Sequence, residues 1–293
     1  MYQQLFEIIA PVLICAALGY GWARLGKPFD LATVTGIVIN IAVPCLVLSS
    51  LSKLTIDLAA FGTMAGAATA TFALFLAVGY VLLRLLGLPS HTFLPALALG
   101  NSGNLGLPLC LFAFGETGLA LGIAIFAVSS MVTMTVGQMI SAGKLSPAVL
   151  LKTPVIYAVA LALVFMTTGT RPPKWIASVL ETLGYMAIPI MLLALGVSLA
   201  RLAPGKIKVS GLVAVLRLVL GFAGGYAVAA LFGLEGAARG VLIIQSAMPA
   251  AVFNYLWAQL YGRDAAAVAG VVVISTALAF LLLPLILMVA LAG

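Results

Sequence analysis

Apolar runs follow one another along almost the whole chain, and each is about long enough to cross a lipid bilayer as a helix. A membrane-spanning helix needs about 20 predominantly apolar residues, because the hydrocarbon core is about 30 Å thick. The runs occupy residues 5–23, 31–50, 58–86, 92–114, 117–140, 153–168, 175–200, 209–232, 237–260 and 265–292. The chain is therefore predicted to be an all-α polytopic membrane protein with ten transmembrane helices.

The composition excludes other broad classes of protein. Hydrophobic residues make up 64% of the chain and charged residues 7%, which is unlike a soluble domain of this length. The connections are too short and too sparsely basic for a nucleic-acid surface, so we expect the lipid bilayer and no nucleic acid as a partner. No nucleophile–base pair, phosphate loop or metal-ligand spacing is present, so we expect no enzyme activity, cofactor or metal. An intramembrane enzyme is the alternative from a different class.

The distribution of basic residues predicts the orientation in the membrane. With the amino terminus outside, nine Lys and Arg residues fall in inner loops and four fall in outer loops. Basic residues concentrate on the cytoplasmic side of membrane proteins. With ten spans the carboxyl terminus is then outside as well. We expect a multi-pass protein of the cell (inner) membrane with both termini on the non-cytoplasmic side.

Two of the apolar runs carry residues that interrupt a helix, and they are 92–114 and 237–260. Glycine weakens a helix, and proline removes a backbone donor. Helix breaks are predicted at Gly103, Gly106, Pro108 and Pro249. Broken helices in a membrane are buried in protein or line a cavity, and transporters bind solutes at them. The alternative is a kink that packs on a neighbouring helix, with asparagine joining the two helices.

The interrupted runs occupy corresponding places in the two halves of the chain. Pro108 and Pro249 are 141 residues apart (249 − 108), and the same shift carries Asn104 to Gln245. A second pair of prolines, in spans two and seven, is 145 residues apart (189 − 44). Because each half has an odd number of spans, the second half enters the membrane upside down relative to the first. The pattern predicts a five-plus-five inverted repeat, which is typical of secondary transporters.

The polar groups in the central parts of the interrupted runs are neutral amides and hydroxyls. Together with free N–H groups at the N-termini of half-helices, they suit a carboxylate, because the N-terminus is the positive end of the helix dipole. The predicted substrate-binding residues are Asn101, Ser102, Asn104, Gln245, Ser246 and Met248, with Met248 in an apolar wall. Span ten adds Ser275 and Thr276. The predicted substrate is a small organic anion.

Charged residues inside the predicted spans are few, and each is a candidate coupling or charge site. Arg217 lies inside span eight, where it either reaches the cytoplasmic interface or attracts an anionic solute. Glu181 lies near the outer end of span seven and is expected to reach water. Glu116 follows the first interrupted run, where it is solvated or has a coupling role. The central parts of the interrupted runs hold no acidic residue, which favours proton coupling or potential-driven uniport over sodium coupling.

The motif GNSGNLGLPL at residues 100–109 resembles the fourth span of the auxin efflux carrier family, which includes the plant PIN carriers and bacterial relatives. The family pattern of Asn, Gly and Pro matches Asn101, Gly106 and Pro108. The polar residue four positions before a proline matches Gln245. The chain lacks the long central cytoplasmic loop of the plant carriers. Because bacterial relatives include proposed carriers of malonate and similar anions, the resemblance implies a bacterial carboxylate carrier.

The resemblance also implies a fold of the bile acid–sodium symporter type, in which spans four and nine cross at their breaks. Spans one, two, six and seven form a scaffold domain that dimerises, at residues 1–56 and 143–208. The remaining spans form a transport domain that moves as an elevator, at residues 57–142 and 209–293. The substrate sits beside the crossing. A sodium-coupled organic-anion symporter and a non-transporting membrane receptor or channel are the alternatives.

Overall fold

The computed structural model describes residues 2–53, 58–143 and 153–292, and the regular structure within these ranges is helical. The helices are α1 (Tyr2–Arg24), α2 (Leu31–Ile37), α3 (Val43–Lys53), α4 (Leu58–Leu85), α5 (Ser90–Ala98), α6 (Leu107–Val132), α7 (Gln138–Ala142), α8 (Pro154–Thr168), α9 (Lys174–Tyr185), α10 (Ala187–Arg201), α11 (Ile207–Leu231), α12 (Gly236–Ser246), α13 (Val252–Leu260) and α14 (Ala265–Leu291). Three π-helical turns continue helices, at Val38–Ala42, Ser102–Gly106 and Thr133–Gly137.

Seven helical stretches in the described part of the chain are long and apolar enough to cross a membrane, and Pro154–Thr168 is a shorter apolar helix. The prediction of an all-helical, multi-pass membrane protein is therefore confirmed. The count of ten spans stays a prediction, because two predicted spans are divided into pieces shorter than a bilayer. These pieces are α5 with the first part of α6, and α12 with α13.

The longest stretch, Ser102–Ala142, contains a reversal of the chain at Gly115. This residue has φ 63° and ψ −153°, a conformation that glycine adopts readily. Gly122 lies beside Cys110, and a Cβ on Gly122 would be 3.3 Å from the Cys110 Cβ. A continuous helix would separate these two residues by about 18 Å, at 1.5 Å per residue. The segments before and after Gly115 therefore pack against each other as separate helices.

The helices pack in two sets. In one set α1 lies along α10, and α3 packs against α8 and α9. In the other set α11 packs against α12 and α14, and α6 packs against α4 and α12. Glycines bring α1 and α10 into backbone contact, since a Cβ on Gly196 would lie 2.6 Å from the Tyr20 nitrogen. Small residues allow this approach between membrane helices, where close packing stabilises association.

Several connections meet at one end of the molecule, which is rich in basic residues. Arg201 at the end of α10 donates from Nη2 to the Phe29 carbonyl at 2.7 Å. Lys206 Nζ forms an ion pair with Asp264 at 2.6 Å, at the start of α14. The hydrogen bond from Lys206 lowers the pKa of the Asp264 carboxyl from its usual value. The connections before α2, α11 and α14 therefore lie on the same side of the molecule.

Candidate functional site

Both interrupted runs contain a short extended segment between two helical pieces. The first helix piece, α5, ends at Ala98, and the next helical turn begins at Ser102. In the second run α12 ends at Ser246, and α13 begins at Val252. Pro249 lies within the second break. Its ring lacks an N–H group and cannot continue the hydrogen bonds of α12.

The two prolines lie at different positions relative to the two breaks. Pro108 lies in the first turn of α6, after the first break and the π-helical turn that contains Gly103 and Gly106. Proline is tolerated in the first turn of a helix, because the N–H groups there have no intrahelical partner. The predicted break is therefore displaced toward the amino terminus, to residues 99–101.

The two extended segments contact each other directly. Asn101 N donates to the Pro249 carbonyl at 2.8 Å, and Ala251 N donates to the Leu99 carbonyl at 3.2 Å. Gly100 and Ala250 form an antiparallel β-bridge between these two hydrogen bonds. Each break thus supplies partners for backbone groups that the other break has freed, as burial in a membrane protein requires.

Two side chains complete the hydrogen bonds of the breaks. Asn254 Nδ2, on α13, donates to the Leu99 carbonyl at 3.0 Å. Ser275 Oγ, on α14, accepts from Ala250 N at 3.1 Å and donates to the Val272 carbonyl at 3.2 Å. These contacts join the first break, the second break and span ten into one hydrogen-bonded unit.

The Arg217 guanidinium lies at the C-terminal ends of α5 and α12. Nε donates to the Met248 carbonyl at 3.0 Å, and Nη2 donates to the Ser246 carbonyl at 2.9 Å. Nη1 donates to the carbonyls of Leu97 at 3.2 Å and Ala98 at 3.3 Å. The residue is 1% exposed, so the alternative that its side chain reaches the membrane interface is wrong.

A cavity of about 450 Å³ adjoins the two breaks. One wall is made by the N-terminal ends of the second half-helices, at Asn101–Asn104 and Ala251–Phe253. The opposite wall comes from α2, α3, α8 and α10. Hydroxyl groups also line it, from Thr35, Ser129, Ser130, Thr133, Thr153 and Ser198. The cavity is therefore mainly apolar, with neutral polar groups around the first break.

Comparison with known proteins identifies the family of the chain. The model of the membrane transport protein family matches residues 4–150 and 138–287. The chain belongs to this family. The resemblance to the auxin efflux carrier family is thereby confirmed, and the chain is a transporter-family protein of the membrane. Two archaeal relatives carry only a general description. Uncharacterized transporters of Methanocaldococcus jannaschii and Methanothermobacter thermautotrophicus are each 26% identical over 304 aligned residues, covering 95% of this chain and 96% of the relative.

The residues predicted to bind substrate lie in two neighbouring places in this membrane transport family protein. Asn101, Ser102 and Asn104 line the large cavity. Gln245 and Ser246 line a void of about 10 Å³ beside Arg217, roughly the space of one water molecule. Met248 is fully buried, and its carbonyl accepts from Arg217. Gly100 and Ser102 line both spaces, so the two places are adjacent.

The predicted charge sites are spread over the molecule. Glu116 is exposed, directly after the reversal at Gly115. Glu181 is partly buried on α9. Neither lines the cavity, whereas Arg217 holds the break itself. Only Arg217 therefore belongs to the group of residues around the breaks.

Three buried amide atoms have no hydrogen-bond partner within the described ranges, and they are Asn101 Nδ2, Gln245 Oε1 and Asn254 Oδ1. The two polar atoms of the Asn101 amide differ in their hydrogen bonding. Its Oδ1 accepts from Asn104 N at 3.2 Å and caps the helical turn, which leaves Nδ2 as a donor. Buried polar groups without a partner call for an explanation. Asn101 lines the large cavity, so Nδ2 is an enclosed, unpartnered donor on a residue of the cavity wall.

Sequence reasoning missed the hydroxyls of span five and of the opposite wall. Ser102 accepts a hydrogen bond from Ser129 Oγ at 3.2 Å, which connects span five to the first break. Ser129 and Thr133 are four residues apart and share one face of the segment. That spacing was a usable signal, but serine and threonine are common in membrane helices, so it did not separate a cavity wall from ordinary packing.

Proposed function

We propose that this protein is a secondary transporter that carries a small organic anion, a carboxylate of the auxin-like or dicarboxylate type, across the membrane. The observation that carries the proposal is the wall of the cavity. Two half-helix N-termini line the cavity together with Asn101, which is 5% exposed and whose Nδ2 has no hydrogen-bond partner in the described part of the chain. N-terminal N–H groups and the positive end of the dipole favour a carboxylate.

The size and lining of the cavity support a small guest. Ligand sites are typically about 300–1,000 Å³, mostly apolar, with a few polar groups that fix orientation. A cavity of about 450 Å³ lies within that range. The carboxylate is proposed to sit at the first break, with the apolar part of the guest against residues such as Val38, Phe126 and Met191.

The proposed mechanism is alternating access of the elevator type. Ten spans are inferred from the seven long stretches, the shorter α8, the reversal at Gly115 and the two interrupted runs. Spans four and nine are proposed to cross at their breaks. The cavity lies between the two sets of packed helices, which are proposed as scaffold and transport domains. A homodimer through the scaffold domain is proposed from the family resemblance.

The function is tested by counterflow in proteoliposomes that contain the purified chain. Vesicles loaded with unlabelled malonate or indole-3-acetate are expected to accumulate the labelled compound transiently and saturably, because a carrier exchanges solute. Sodium is expected to have no effect, whereas a sodium gradient that drives accumulation would support the symporter instead. Flux that does not saturate would support a channel, and binding without flux would support a receptor.

The proposed orientation is tested by labelling single cysteines in intact cells. In a background with Cys15, Cys45 and Cys110 replaced, Thr170→Cys is expected to react with an impermeant maleimide. Lys27→Cys is expected to react only after the cells are permeabilised. Both positions are exposed, so access to the thiol is decided by the side of the membrane. Labelling of position 27 but not 170 would reverse the orientation.

A further inference from the structure

Arg217 occupies an unusual electrostatic position, because its four hydrogen-bond acceptors are the carbonyls at two helix ends. Leu97 and Ala98 end α5, and Ser246 and Met248 lie at and just beyond the end of α12. A helix C-terminus carries about half an elementary negative charge. The guanidinium therefore offsets the negative ends of both half-helices with its single positive charge.

The other ends of the breaks are left positive. The half-helices that begin at Ser102 and Val252 each present an N-terminus to the cavity, and each N-terminus carries about half a positive charge. The charge of Arg217 cancels the two half-charges of the C-terminal ends. The two half-charges of the N-terminal ends then remain, which gives a total of about one positive charge at the breaks. Without a charge at position 217, the four helix ends would cancel, and the cavity would lose its preference for an anion.

The charge of Arg217 is poorly screened. The residue is 1% exposed, and the Phe75 ring lies 5.1 Å from Cζ. In the described part of the chain, its polar contacts are the four carbonyls and no carboxylate forms an ion pair with it. Gly100 and Ser102 line both the void beside the guanidinium and the large cavity. These two residues thus lie between the guanidinium and the large cavity.

We propose that Arg217 sets the charge selectivity of the cavity from behind its wall, as a positioning and charge-compensating residue that does not touch the substrate. The inference rests on the proposed function, because it explains how a site of neutral groups prefers an anion. It also assigns a second role, since the same four hydrogen bonds hold the two breaks together.

The test compares each acid with its neutral amide, which has nearly the same shape. The purified full-length chain is titrated with indole-3-acetate and indole-3-acetamide, and with malonate and malonamide, by calorimetry and thermal shift. The parent is expected to bind at least one acid about tenfold or more tightly than its amide, because a buried, unpaired positive charge attracts a carboxylate and not a neutral amide. Arg217→Lys is expected to keep this preference, and Arg217→Gln is expected to reduce it to about twofold or less.

A second pair of variants leaves the Arg217 side chain unchanged, with all of its N–H donors, and alters a neighbouring residue instead. Thr71 is 3% exposed and lines the small void with the guanidinium. Thr71→Asp places a carboxylate beside Arg217 and is expected to abolish the preference for the acid, whereas Thr71→Asn has the same shape without the charge and is expected to keep it. If Arg217→Gln fails to fold, this pair alone decides.

The outcomes separate this inference from the proposed function. A parent that prefers the acid, together with folded Thr71→Asp or Arg217→Gln variants that still prefer it, would overturn the role of Arg217 and leave the proposed function in place. A parent that binds both amides as tightly as the acids, or that binds none of the compounds, would overturn the proposed anion carrier and this inference with it.

Discussion

Serine in place of Asn101 is expected to weaken anion binding by about five- to hundredfold, which corresponds to about 1–3 kcal/mol, while the protein keeps its unfolding temperature. Asn101 Oδ1 caps the turn by accepting from Asn104 N, and serine caps helices as well as asparagine does. What serine lacks is the amide donor Nδ2, which has no partner in the described part of the chain. The measurement is titration with whichever of malonate or indole-3-acetate binds the parent.

The control distinguishes a binding residue from a residue that joins helices. Asn40→Ser changes an exposed asparagine outside the cavity, whose Nδ2 donates to the Gly36 carbonyl, and it is expected to leave affinity unchanged. A joining role would lower the unfolding temperature of Asn101→Ser without ligand. If Asn101→Ser binds the anion as tightly as the parent, the carboxylate does not sit at the first break.

Alanine in place of Ser275 is expected to destabilise the protein by about 1–3 kcal/mol, because it removes the acceptor of a buried backbone donor. Ala250 N lies in the second break and donates to Ser275 Oγ at 3.1 Å, and both residues are 0% exposed. Alanine offers no acceptor at this position, so the buried N–H group of Ala250 loses its partner. The unfolding temperature in detergent is therefore expected to fall by several degrees.

The neighbouring residue provides a matched control. Thr276 is 1% exposed, and its hydroxyl donates to the Val272 carbonyl of its own helix at 2.7 Å. Thr276→Val keeps the shape and leaves that carbonyl with its helical N–H partner, so a change below about 1 kcal/mol is expected. Equal losses in the two variants would show that burial of a hydroxyl, and not the hydrogen bond to the break, explains the effect of Ser275.

The membrane class and most helix limits follow from local properties of the sequence. Apolar runs predicted at 58–86, 209–232 and 265–292 correspond to helices Leu58–Leu85, Ile207–Leu231 and Ala265–Leu291. These limits are predictable because the length of an apolar run and the polar residues at its ends decide where a membrane helix stops. The two interrupted runs were also predictable, because glycine and proline act on the backbone at their own positions.

The point at which each run breaks was only partly predictable. Pro249 lies inside the second break, but Pro108 lies in the first turn of α6, several residues after the first break. Both positions satisfy the local rule for proline, since the ring is tolerated at a helix start and excluded from a helix interior. Hydrogen bonds from the other half of the chain, such as Asn101 N to the Pro249 carbonyl, stabilise the extended segment at 99–101.

The sequence by itself determined that the polar groups in the central parts of the interrupted runs are amides and hydroxyls, and that an arginine lies inside span eight. The tertiary structure decided their roles. Asn101 lines the cavity while Gln245 lies behind it, and Arg217 binds carbonyls contributed by residues 31 and 120 positions away. The physical reason is that a buried charge takes the partners that the packing of distant helices brings to it. No local pattern around position 217 specifies which helix ends will lie there.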